Sequence, residues 1–139
     1  MADGADRTDG GPDARPRVLV VEDDALNQRL AQRMLGHLGY DVDLAGSGRE
    51  ALEALALRPY AAVLMDGHLP EMDGFATTRE LRAREGDGTR TPVIAVSGAT
   101  LDEDRAKARD AGMDDYLDKP LELDRLRACL ARWISAAGG

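Results

Sequence analysis

A chain of 139 residues, 43 % apolar and 32 % charged, has the length and apolar content for one soluble domain and little left for a second. Its net charge of -8 argues against a grip on nucleic-acid phosphates, which needs a basic face, and leaves acid to spare for a metal cation. With one cysteine, Cys129, no internal disulfide or paired-cysteine metal cluster can form, and no apolar stretch suggests a membrane span or secretion signal, so a cytoplasmic location is expected.

Residues 1–16 hold Gly, Asp, Ala and Pro with almost nothing to bury, which cannot offset the entropy of ordering, and they read as a mobile leader. Val18-Leu-Val-Val21 reads as a strand, followed by Glu22-Asp23-Asp24. Asp24 is expected at the strand exit, exposed or capping a first helix in which Leu26, Leu30, Met34 and Leu38 recur every four residues. Leu35 widens that stripe, Gly39 stops the helix, and His37 near its end reads as exposed. Asp41-Val-Asp-Leu44 alternates like a half-exposed strand, and Ala51, Leu52, Leu55 and Ala56 mark a second helix. The run Ala61-Ala-Val-Leu-Met65 is a continuously apolar strand that finishes on Asp66. Asp73, after Pro70, is a candidate N-cap for a third helix marked by Phe75 and Leu81. Val93-Ile-Ala-Val96 is another apolar strand, finishing on Ser97. The helix expected between Leu101 and Ala111 is mostly Asp, Arg, Lys and Ala, with few large side chains to anchor it. Asp115-Tyr-Leu-Asp118 alternates and leads into Lys119-Pro120, and Leu123, Leu126, Leu130 and Trp133 share one face of the last helix, where Cys129 reads as small filler. Residues 135–139 are too small to pack and read as a flexible tail, so the folded unit is expected over 17–134.

Five strand and helix repeats imply an α/β fold: a doubly wound, five-stranded parallel sheet with five helices on its two faces. The apolar first, third and fourth strands belong inside and the alternating second and fifth at the edges, which gives the flavodoxin-like order 2-1-3-4-5. In such a sheet ligands bind beyond the carboxyl ends of strands one and three, here Glu22-Asp23 and Asp66. Carboxylates, the Ser97 hydroxyl and the Lys119 ammonium gathered at one sheet edge amount to a divalent-metal and phosphoryl site.

The segments Val20-Val-Glu-Asp-Asp24, Leu64-Met-Asp-Gly-His-Leu-Pro-Glu-Met-Asp-Gly74, Val96-Ser97 and Asp115-Tyr-Leu-Asp-Lys-Pro120 resemble, in type and order, the receiver domain of the response-regulator family of two-component signalling. The resemblance covers nearly the whole folded region and is specific as a set, whereas a lone Asp after a strand would ordinarily be a turn or cap residue. It implies that Asp66 is the phosphoacceptor and that Glu22 and Asp23 are an acidic pair which holds Mg2+ together with Asp66 and the backbone carbonyl of His68. It further implies that Ser97 hydrogen-bonds the phosphoryl group, that Lys119 pairs with it, that Tyr116 is the switching aromatic, and that the Lys119–Pro120 peptide is cis. The physical requirement agrees, since a carboxylate that attacks a phosphoryl donor needs both negative charges offset.

The function this implies is a phosphorylation-dependent signalling switch that takes its phosphoryl group from the phosphohistidine of a sensor kinase or histidine phosphotransfer protein. It is expected as a stand-alone receiver or phosphorelay intermediate, or as an excised receiver of a hybrid histidine kinase, acting on an unknown downstream protein without binding nucleic acid or membrane. Such a chain is not an enzyme beyond its own phosphorylation and dephosphorylation. A different class, an aspartate-nucleophile phosphohydrolase of the haloacid-dehalogenase kind, would carry a second acid two residues after Asp66, where this chain has His68. A receiver-like module that is never phosphorylated would lack part of the acidic pocket, and all of it is present here. The chain is expected to be a monomer or a weak homodimer, with Asp114, Asp115, Arg105, Arg109 and Arg125 available to pair across the face made by the fourth helix, last strand and last helix.

Overall fold

The computed structural model describes residues 15–98 and 102–138, the side chains of 102–104 and 135–138 excepted; residues 1–14, most of the expected leader, and Gly139 lie outside the described residues. Five strand and helix pairs follow in order: β1 (Arg17–Val21), α1 (Ala25–His37), β2 (Asp41–Ala45), α2 (Gly48–Leu57), β3 (Ala62–Asp66), α3 (Gly74–Glu85), β4 (Val93–Ser97), α4 (Asp102–Ala111), β5 (Asp115–Asp118) and α5 (Leu123–Gly138). All neighbouring strands are parallel and their order is β2-β1-β3-β4-β5, with both alternating segments at the edges. The last helix continues to Gly138, past the boundary expected at Ile134, so the backbone of 135–138 extends α5.

Strand periodicity divides the core in two. Leu19, Val21, Val63, Met65, Val93 and Ala95 pack with Ala51 and Leu52 of α2, Phe75 and Leu81 of α3, and Ala108 and Ala111 of α4. Val18, Val20, Ala62, Leu64, Ile94 and Val96 face the other way, onto Ala31 and Leu35 of α1 and Leu126, Cys129 and Leu130 of α5. Full burial of a Leu or Ile of this kind stabilises by about 2 kcal/mol, so the central strands dominate the fold. The two apolar runs that end on Asp66 and Ser97 extend one residue further than expected: the ladder takes in both, with Asp66 paired to Val96 and Ser97 to Asp118.

The stripe expected on α1 is corrected. Leu26 is 65 % exposed and Leu30 51 %, and burial falls instead on Ala31 and Leu35, with Met34 and Leu38 half-buried. A four-residue repeat drifts about 40° per step around a helix of 3.6 residues per turn, so Leu26 and Leu38 lie about 120° apart. The sheet contacts the end of that row and leaves its beginning outside. Ala56 of α2 is likewise exposed, at the margin of a face centred on Gly48, Ala51 and Leu52.

The helix ends obey local chemistry. Asp24, Ser47 and Asp73 cap α1, α2 and α3 by accepting the backbone N–H of Asn27, Glu50 and Ala76. Gly39 takes φ +99 after α1, the left-handed turn that glycine permits. His37 is exposed and Cys129 is buried.

Of the five charges expected to pair across a dimer, four are engaged within the chain. Asp114 holds Arg82 and Arg90, Asp115 holds Arg132 and the Trp133 indole, Arg105 lies near Asp118, and Arg125 pairs with Glu122.

Candidate active site

Because the strands run in parallel, the carboxyl ends of β1, β3, β4 and β5 share one edge. Glu22 follows β1, and its N–H extends the ladder by donating to the Ala45 carbonyl at 3.0 Å. Its side chain is buried while that of Asp23 is exposed. The Asp24 N–H donates to Glu22 Oε2 at 3.1 Å, and the Asp24 carboxylate caps α1 from an exposed position, so both expectations for this residue hold.

Asp66, the last residue of β3, is 6 % exposed. Its Oδ1 accepts the His68 N–H at 3.0 Å, and its Oδ2 accepts Lys119 Nζ at 3.2 Å. The same ammonium donates to Glu22 Oε1 at 3.1 Å. Lys119 is placed by its own N–H, which donates to the Ser97 carbonyl at 2.8 Å, and the Lys119–Pro120 peptide is cis, as the resemblance implied. Gly74 permits the close packing of α3 on this edge, since a Cβ there would collide with the Asp66 carbonyl oxygen.

Carboxylate oxygens of Glu22, Asp23 and Asp66 lie within 4.8 Å of one another. Three carboxylates therefore crowd together while one ammonium bridges two of them, Glu22 and Asp66. Burial pushes the Glu22 carboxyl above its usual range, and the Asp66 charge adds to this, against the opposing Asp24 N–H and Lys119 ammonium. Burial alone would lower the Lys119 pKa, but the hydrogen bond to Glu22 and the charges of Asp66 and Glu22 outweigh it and the net shift is upward. An all-oxygen, anionic donor set of this spacing suits a hard divalent cation such as Mg2+.

Ser97 ends β4, 1 % exposed, one step beyond the residue paired with Asp66. Tyr116 is half-buried on the α4 side of β5, where the Arg105 guanidinium lies 4.7 Å from the ring centroid. The His68 side chain is exposed and its ring meets Phe75 of α3 edge-on at 6.1 Å, so the position where a phosphohydrolase would carry its second acid holds an imidazole set against that helix. The structure thus gathers Glu22, Asp23, Asp66, Ser97 and Lys119 at one edge, with Tyr116 further back along β5, paired with Ala95 of β4.

Two contributors were not anticipated. The His68 backbone N–H orients the Asp66 carboxylate, and Gln28 of α1 donates its side-chain amide to the Glu22 carbonyl at 2.6 Å. Neither follows from residue type or spacing alone. Beside the carboxylates a cavity of about 350 Å3 opens between α1 and the segment after β5; Leu30, Met34, Pro120 and Leu121 line it, and Glu22, Asp66 and Lys119 form its polar end.

Comparison with known proteins converges on one family. Residues 18–131 match the response regulator receiver domain. The hybrid signal transduction protein dokA of Dictyostelium discoideum is 38 % identical over 84 % of this chain, which spans 7 % of that protein. Histidine kinase 5 of Arabidopsis thaliana is 32 % identical over 87 % of the chain, again with only 16 % of its own length matched. Among solved structures, the receiver domain of a Pseudomonas aeruginosa sensor histidine kinase, with magnesium coordinated in its active-site cleft, is 42 % identical, covering 88 % of this chain and 99 % of that one at a TM-score of 0.81. The receiver domain of a Saccharomyces cerevisiae response regulator, solved together with a histidine phosphotransfer protein, is 25 % identical, covering 87 % and 90 % at a TM-score of 0.82. No helix among the described residues is long and apolar enough to cross a membrane.

Proposed function

This chain belongs to the response regulator receiver family and is a receiver of two-component phosphorelay signalling, and from that premise we propose how its own residues perform the task. Asp66 is the phosphoacceptor. One of its carboxylate oxygens attacks the phosphorus of a phosphohistidine, the P–O bond forms as the P–N bond breaks, and the imidazole nitrogen leaves with the electron pair and takes a proton from solvent. Glu22, Asp23 and Asp66, with the His68 carbonyl, would hold Mg2+, which when bound would supply positive charge to offset the phosphoryl oxygens. Lys119, already 3.2 Å from Asp66, turns from neutralising two carboxylates to pairing with the added phosphoryl group. Ser97 gives that group a hydroxyl. The chain processes no separate substrate; its catalysis is confined to its own phosphorylation and dephosphorylation.

The observation that carries this reading is the single ammonium of Lys119 bridging Glu22 and Asp66 with a third carboxylate within 4.8 Å. Phosphorylation adds charge beside Ser97 and draws it inward, and Tyr116 follows by leaving the Arg105 guanidinium, which reshapes the surface of α4, β5 and α5. The phosphoryl donor is a histidine on a sensor kinase or phosphotransfer protein. Exposed Leu30, which lines the cavity that Asp66 also lines, and exposed Leu26 one turn earlier on α1 give that partner an apolar landing. The similarity to hybrid kinases supports a place within a phosphorelay, whether as a separate receiver or as one module of a longer kinase. A cytoplasmic site of action accords with such donors.

The test is incubation with a small acyl-phosphate donor and Mg2+, followed by intact mass. Wild type is expected to gain one phosphoryl group per chain and Asp66→Asn none; equal labelling of both would refute the assignment.

A further inference from the structure

Glu22 and Asp23 are held by different means. The Glu22 carboxylate is fixed at both oxygens, Oε2 by the Asp24 N–H and Oε1 by Lys119 Nζ. The Asp23 carboxylate has no hydrogen-bond or ion-pair partner among the described residues and is exposed. Its direction is therefore set by its backbone. The peptide that enters Asp23 begins at the Glu22 carbonyl, and that carbonyl accepts the Gln28 side-chain amide at 2.6 Å, short for an N–H···O bond. Gln28 is itself placed by the helix, because its N–H donates to the Asp24 carbonyl at 2.9 Å, closing a ring of three hydrogen bonds from Glu22 through Asp24 and Gln28 back to Glu22, around Asp23. The side chain is half-buried, with its Nε2 near Gly46, the residue that follows β2.

We propose that Gln28 is a positioning residue for the acidic pair: by holding the Glu22–Asp23 peptide it aims the otherwise unsupported Asp23 carboxylate at the cation site. This rests on the assignment of Glu22, Asp23 and Asp66 as Mg2+ ligands. A partner that orients a ligand without touching the ion commonly changes metal affinity tenfold or more when removed. Gln28 differs from its neighbour Asn27 in acting on the loop backbone rather than lining the cavity, so its effect belongs to cation binding and not to partner recognition.

The test is calorimetric titration of the whole chain with MgCl2, with Gln28→Met as a variant of similar length that lacks the donor. The expected result is a Kd for Mg2+ raised about tenfold in the variant, with a metal-free melting temperature within about 2 °C of wild type. A Kd within about twofold of wild type, with or without a lower melting temperature, would overturn the inference. Should Gln28→Met fail to fold, the wild-type chain decides: the Gln28 side-chain amide resonances are expected to shift on Mg2+ addition while those of exposed Gln32 stay in place, and a Gln28 signal that does not move overturns it. Failure of wild type to bind Mg2+ at all would sink the ligand assignment along with this inference, whereas normal binding by both proteins would sink this inference alone.

Discussion

The two ends of the sheet use the same residue types to opposite effect. At the amino end charges are matched: Asp114 takes Arg82, Arg90 and the Val93 N–H, and Asp43 takes Arg17, Arg58 and the Tyr60 hydroxyl. At the carboxyl end the carboxylates of Glu22, Asp23 and Asp66 crowd within 4.8 Å of one another, and the Lys119 ammonium pairs with two of them, Glu22 and Asp66. The amino end is thereby closed electrostatically and ties α3, β4 and the turn before β5 together, while the carboxyl end is left short of positive charge. That shortage, more than the presence of acids, distinguishes a cation and phosphoryl site from a structural ion-pair cluster.

Substitutions that damage one end and spare the other would sharpen the contrast. The largest effect is expected from Arg82→Met, which takes from the nearly buried Asp114 the more buried of its two arginine partners and removes hydrogen bonds to the Gly112 and Thr91 carbonyls. Breaking a buried pair in this way should cost about 3 kcal/mol in urea unfolding while leaving the Mg2+ Kd alone. Loss of Mg2+ affinity in that variant would mean the two ends are coupled.

Lys119→Met should damage the carboxyl end instead. Acyl-phosphate labelling of Asp66 is expected to slow about a hundredfold, as removal of one transition-state charge does elsewhere, and metal-free urea stability should fall as well, because Glu22 and Asp66 are left buried without their cation. Labelling at the wild-type rate would remove Lys119 from the chemistry.

Tyr60→Phe tests the amino end more gently. The hydroxyl donates to Asp43 Oδ2 at 2.7 Å, and its loss should cost about 1–2 kcal/mol. Burial, the hydrogen bond to Asp43 and the Asp43 charge push the Tyr60 pKa up to about 12, from 10.0 in a free phenol. The folded chain keeps this proton longer than the unfolded chain, so the associated stability is present below about pH 10 and is lost as pH rises toward about 12. The difference between wild type and Tyr60→Phe in alkaline melts should shrink across that window; a constant difference would contradict the cause assigned to the shift.

A smaller acid-side effect belongs to Asp115. Burial would raise its pKa, but the Trp133 N–H, the Tyr116 N–H, Cys129 and Arg132 together hold it below 3.8. Its contribution is thus present above about pH 4 and fades as pH falls through the lowered value, so Asp115→Asn should flatten the acid end of a Trp133-monitored melt by less than about 1 kcal/mol.

Much of this was legible in residue order. Continuous apolar runs marked β1, β3 and β4 as central, alternation marked β2 and β5 as edges, and parallel strands then forced Glu22, Asp66, Ser97 and Lys119 to one rim. What escaped depends on angle and on backbone. The four-residue row on α1 hid the exposure of Leu26 and Leu30, because rotation around the helix does not show in spacing. Asp114 read as a surface charge because its partner Arg82 lies 32 positions away and meets it only through tertiary packing. Gln28 and the His68 N–H act through main-chain atoms, which every residue has and no motif records.

The account stands on the shortage of positive charge at the carboxyl rim, and melting with and without millimolar MgCl2 reads it most directly. Wild type should melt several degrees higher with Mg2+, by about 1–3 kcal/mol of added stability, and Asp23→Asn should lose most of that gain. A wild-type melting temperature indifferent to Mg2+, or an Asp23→Asn chain stabilised as fully as wild type, would contradict it.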